Sequence, residues 1–72
     1  MKRNTEENRF KKLGVMLKKS RLDVKLTQAQ VAAQSGVHVN FYARLERGEV
    51  DVSYERLERI LKTLGVESLK ID

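Results

Sequence analysis

Leu26-Thr27-Gln28-Ala29-Gln30-Val31-Ala32-Ala33-Gln34-Ser35-Gly36-Val37-His38-Val39-Asn40-Phe41-Tyr42-Ala43-Arg44-Leu45-Glu46-Arg47-Gly48 reads as two short helices joined by a tight turn. Thr27 opens the first of them, with Gln30 at the third helical position, which is a capping box. Val31, Ala32 and Ala33 give a short helix of small residues. Gly36 ends it, because glycine takes the left-handed conformation of a helix stop without a steric penalty. The second helix runs from about His38 to Arg47 and is closed by Gly48. Val31, Val37, Tyr42 and Leu45 supply apolar contacts behind the pair, and Ala32 is small where the two helices cross.

Outward from this unit the helical spacing continues on both sides. Upstream, Asn4 with Glu7 fits a second capping box, and Phe10, Leu13 and Leu17, with Met16 beside them, mark one face of a helix ending near Leu22 to Asp23. Gly14 lies inside that helix, where it costs up to about 1 kcal/mol against alanine. A close helix–helix approach at this point accounts for it. Downstream, Ser53 is a good N-cap. Leu57, Ile60, Leu61 and Leu64 then form an i, i+3, i+4, i+7 stripe closed by Gly65, with Val66 placed to pack against the cap. In the tail 66–72, Leu69 and Ile71 alternate with polar neighbours, which suits a short strand better than a fifth helix. The expectation is a single all-α domain over residues 1–72. It has four helices, the two-helix motif at 27–47 and a short C-terminal strand.

Composition narrows the function. The chain has 72 residues, no cysteine, one histidine and a net charge of +5. Disulfides and thiolate metal sites are excluded, a zinc-binding histidine cluster is ruled out, and no metal or cofactor is expected. The charge is uneven: residues 1–26 carry +6, 27–48 carry +1 and 49–72 carry −2. A basic N-terminal half suits a polyanionic partner, although a solvated helical face has the same composition. The N-terminus is polar, and no apolar run reaches the length of a signal sequence or membrane span. The expectation is a cytoplasmic protein without a membrane partner. No phosphate-cradling glycine loop and no Ser/His/Asp constellation is present, so the chain does not read as an enzyme. No aromatic stacking surface of the RNA-binding kind is visible either. Two helices at a fixed steep angle, the second with a free face, suit the major groove of duplex DNA.

The combination of Leu26-Thr27-Gln28, Ala32, Gly36-Val37, Arg44-Leu45-Glu46-Arg47-Gly48 and Leu64-Gly65-Val66 closely resembles the phage repressor and Cro type of helix-turn-helix, the XRE family. The resemblance covers about residues 10–66. It departs in three places. His38 stands where the family has a serine or threonine cap, Ser35 replaces a common apolar residue, and Val52 stands where a proline often precedes the fourth helix. The resemblance implies sequence-specific binding of double-stranded DNA. It matches Gln28 to a phosphate contact at a helix start suited to anions. Val39, Asn40 and Arg44 match positions that reach base edges, where arginine can read guanine, asparagine adenine, and valine a thymine methyl. The resemblance further implies that Arg21 and Glu46 form an ion pair tying the first helix to the third.

Arg47 and His38 are further phosphate candidates, with a plain surface imidazole an equal reading of His38. Phe41 either flanks the DNA backbone or packs on the second helix. One recognition helix reads few base pairs, so a homodimer on two half-sites is expected, with 66–72 as its pairing segment. Two settings share such a domain. One is a free-standing repressor. The other is an antitoxin that binds a toxin protein and represses its own operon. A helical bundle that binds only protein is a third reading, and it gives no reason for Gln28, Asn40 and Arg44 to share an exposed edge.

Overall fold

Four helices follow one another in the computed structural model, which describes residues 5–66: α1 (Thr5–Asp23), α2 (Gln28–Ser35), α3 (Val39–Glu46) and α4 (Tyr54–Leu64). No strand occurs among the described residues. Asn4 of the first capping box and the tail segment 67–72 lie outside them.

The helix ends follow from local chemistry. At α2 the Gln30 N–H donates to Thr27 Oγ1 at 3.0 Å, and the Thr27 N–H donates to Gln30 Oε1 at 2.8 Å. Both halves of the capping box are therefore made. Ser53 caps α4 by accepting from the Arg56 N–H at 3.2 Å. Beyond Gly65 the Val66 N–H returns to the Leu61 carbonyl at 2.9 Å, and Val66 packs on the core. α3 is one residue shorter at each end than the sequence suggests. His38 is extended, with φ −72° and ψ 141°, and offers no side-chain cap, while Arg47 is the C-cap. α1 ends without glycine: Lys25 has φ 60°, and the Leu26 N–H reaches back to the Arg21 carbonyl at 3.2 Å.

The core is the meeting place of all four helices. Leu17 comes from α1, Val31 and Ala32 from α2, Tyr42 and Leu45 from α3, and Ile60, Leu61 and Leu64 from α4. Full burial of a leucine or isoleucine contributes roughly 1.5–3 kcal/mol. Leu13, Met16, Val37 and Leu57 are half-buried around this centre.

Two glycines let α1 lie directly across the end of α3. A β-carbon at Gly14 would collide with the Glu46 carbonyl oxygen and sit 2.8 Å from that of Leu45. At Gly48, where φ is +76°, it would lie 2.9 Å from the Lys11 Cα. Ser35, unusual for a buried site, is satisfied across the α2–α4 contact. Its hydroxyl donates to Thr63 Oγ1 at 3.0 Å, and Arg59 Nε donates to the Ser35 carbonyl at 2.9 Å. A buried hydroxyl with such a partner avoids the desolvation cost of a lone polar group.

Candidate nucleic-acid interface

α3 divides cleanly into two sides. Tyr42, Leu45 and Glu46 are buried against the other helices, while Val39, Asn40 and Arg44 are exposed. At 100° per residue, positions 39, 40, 43, 44 and 47 share one outward arc, and 41, 42, 45 and 46 face inward. The structure therefore brings Val39, Asn40, Arg44 and Arg47 onto a single face. Val39 is 40 % exposed, although it is a β-branched apolar residue.

Glu46 holds this helix in place. Arg21 Nε donates to Glu46 Oε2 at 2.6 Å, and Arg21 Nη2 donates to Oε1 at 3.1 Å. The remaining arginine nitrogen, Nη1, donates to the Leu26 carbonyl at 3.0 Å. Arg21 is 9 % and Glu46 8 % exposed. Burial acts to raise the Glu46 pKa, but hydrogen bonding from Arg21, with the Tyr42 hydroxyl and the Gln28 amide nearby, outweighs it and holds the carboxyl below its usual range. Tyr42 Oη is fully enclosed and makes no hydrogen bond of good geometry. Burial, then the adjacent Glu46 carboxylate, push that phenol well above its ordinary pKa.

Gln28 starts α2 beside the same cluster. Its amide nitrogen donates to Glu46 Oε1 at 2.9 Å, which fixes the orientation of the amide because the carboxylate only accepts. One amide hydrogen is left over for a second acceptor. His38 and Phe41 lie at the other end of α3. His38 is exposed, and Phe41 is half-buried with the Arg56 guanidinium over its ring at 5.5 Å. Phe41 packs on the core and against Arg56 of α4.

A family model described as helix-turn-helix matches residues 17–71, more than half of the chain. The chain belongs to the XRE-type helix-turn-helix family. It is a DNA-binding regulator of that type, as the sequence motifs imply. Comparison with curated proteins and with solved structures finds no match. In this helix-turn-helix domain, no group of three or more His, Cys, Asp or Glu residues capable of holding a metal occurs among the described residues. Among the same residues, no helix is long and apolar enough to cross a membrane.

Two members of the exposed face escaped the sequence reading. Ala43 sits in the middle of the outward arc, half-buried, four residues after Val39 and four before Arg47. Counting helical positions from Val39 identifies it. Glu49 is the other. Arg47 Nε and Nη2 donate to its two carboxylate oxygens at 3.0 and 3.2 Å, and Arg44 Nε lies 3.6 Å away. The Arg47 guanidinium, first among its neighbours, holds the Glu49 carboxyl below the usual carboxylate range.

Proposed function

We propose that this domain binds a specific double-stranded DNA operator as a dimer and represses transcription from it. The observation that carries this reading is the outward face of α3, where Val39, Asn40 and Arg44 are exposed together on a helix whose inner side is locked to α1 by a buried ion pair. Asn40 and Arg44 have the donor geometry for adenine and guanine edges in the major groove, and Val39 can cover a thymine methyl. Ala43, small and central, lets the helix axis come close to the groove floor. Gln28, with one amide hydrogen left beside Glu46, donates it to a phosphate oxygen at the start of α2 in this reading. Arg47 and His38, at opposite ends of α3, flank the base-reading residues and serve as further phosphate contacts. Phe41 supports the backbone-facing edge through its packing rather than by a polar contact.

A single α3 spans too few base pairs for tight discrimination, so two copies on half-sites about one helical turn apart complete the site. The segment 66–72, through Leu69 and Ile71, is the proposed pairing element. The test is selection of bound sequences from a random duplex pool with the full chain. A two-fold symmetric consensus supports the reading. Recovery of unselected sequences would overturn sequence-specific binding, and a single non-repeated half-site would overturn the dimer.

A further inference from the structure

Two of the cations expected to meet DNA already have an anion. α3 ends at Arg47, and Gly48 in the left-handed conformation reverses the chain so that the Glu49 N–H donates to the Arg44 carbonyl at 3.0 Å. That reversal brings the Glu49 side chain back over the last turn of α3, between Arg44 and Arg47. The turn has little room to shift, since Gly48 packs against the Lys11 backbone and Val50 is half-buried on the core. The contact to Arg47 is two parallel N–H···O bonds, the same fork that a guanidinium offers to a phosphate. All three side chains are about half exposed, which leaves the cluster open to a ligand from solvent.

Resting on the reading of α3 as the DNA-facing helix, we propose that Glu49 is a built-in competitor for DNA phosphate, occupying Arg47 and restraining Arg44 until the duplex displaces it. A carboxylate at this place has two effects on binding. It must give up its guanidinium partner when Arg47 turns to a phosphate, and its charge then faces a polyanion. Both oppose contacts that any duplex offers. Only a site with the correct base for Arg44 returns a bidentate bond that a generic sequence lacks. Glu49 therefore lowers affinity for every duplex, and only a site that gives Arg44 its base contact recovers tight binding.

The test compares the wild-type chain, Glu49→Gln and Glu55→Gln on a short mixed-sequence duplex and on a duplex selected from the random pool. Glu55 is an exposed α4 carboxylate paired with Arg59, so its variant makes the same change in net charge away from Arg44 and Arg47. Glu49→Gln is expected to bind the mixed-sequence duplex about three- to tenfold tighter at low salt. Its log K against log salt should steepen by about one, as one more cation meets phosphate without an internal rival. A gain of similar size is expected on the selected duplex, and Glu55→Gln stays close to wild type on both. Thermal unfolding of all three chains checks that they are equally folded. Unchanged or weaker binding by Glu49→Gln, or an equal gain from Glu55→Gln, would overturn the proposal while leaving DNA binding in place. A wild-type chain that bound neither duplex would overturn the underlying reading and this proposal with it.

Discussion

Removing one side of the Arg21–Glu46 pair strands the other charge in a largely buried place. Glu46→Ala is expected to destabilise the domain by about 3–5 kcal/mol in urea titration. A domain of this length has a total stability on the order of 4–11 kcal/mol, so that one change removes a large part of it. Replacing both partners with apolar residues, Arg21→Met with Glu46→Leu, should restore much of the loss, because no lone charge remains buried. The same carboxyl contributes to the acid limb of the stability curve. Its folded pKa lies below its unfolded value, so on acidification the unfolded chain takes up the proton first. The contribution is complete above about pH 4.3 and is lost as pH falls through the depressed folded value. Tyr42 sets the alkaline limb in the opposite sense. Its folded pKa is raised, so stability declines as pH climbs past about 10, where the unfolded phenol ionises first. Unfolding midpoints measured across both limits check the two signs. Lys25, held at φ 60°, is a different case. Lys25→Gly removes a left-handed strain of about 1–2 kcal/mol and gives back part of it to unfolded-chain entropy. A net gain of about 0.5–1 kcal/mol is expected, and a loss would mean that the lysine side chain makes a compensating contact.

Among the helices, the crossing of α1 over α3 is the most demanding joint. Gly14→Ala improves the intrinsic helix propensity of α1 by up to about 1 kcal/mol, yet its methyl group would meet the backbone carbonyls of Leu45 and Glu46. A net loss of about 1–3 kcal/mol is expected, because backbone cannot move aside as a side chain does. An unchanged or raised melting temperature would show that the helices can part cheaply. The outward side of α3 has its own test. Asn40→Ala and Arg44→Ala should each lose about 1–3 kcal/mol of discrimination at one base pair, read by competition between the selected duplex and single-base variants. Equal weakening on every sequence would remove both from base recognition. Gln28→Ala, by contrast, should weaken all sequences alike with little change in salt slope, since the side chain is neutral. The helices themselves were legible in the sequence. Thr27–Gln30, Ser53 and Gly65 mark ends through local bonds, and Gly14 pointed to a close approach. What stayed hidden depends on contacts between distant residues or on turn geometry. Gln28 to Glu46 and Ser35 to Thr63 join different helices, and Glu49 meets Arg47 only because Gly48 turns the chain back. The left-handed Lys25 carries no glycine to announce it.

At the scale of the whole molecule, the sequence concentrates basic residues in its N-terminal half and acidic ones in its last third, and the net positive charge suits a polyanionic partner. Two copies on a palindrome should sediment with one selected duplex as a two-to-one complex. Deletion of 67–72 should weaken that complex more than binding to an isolated half-site. A one-to-one complex at saturation would contradict the dimer. The polar cluster described above also has a historical meaning. One carboxylate at position 46 is shared by a side chain from α1 and another from α2, so the three positions cannot drift independently. A lineage that loses the acid must change Arg21 in the same step or pass through a poorly folded intermediate, and Gln28 loses the acceptor that orients its amide. Positions 21, 28 and 46 should accordingly be inherited as a set, and related chains should show either all three polar groups or a wholly different filling of the same space.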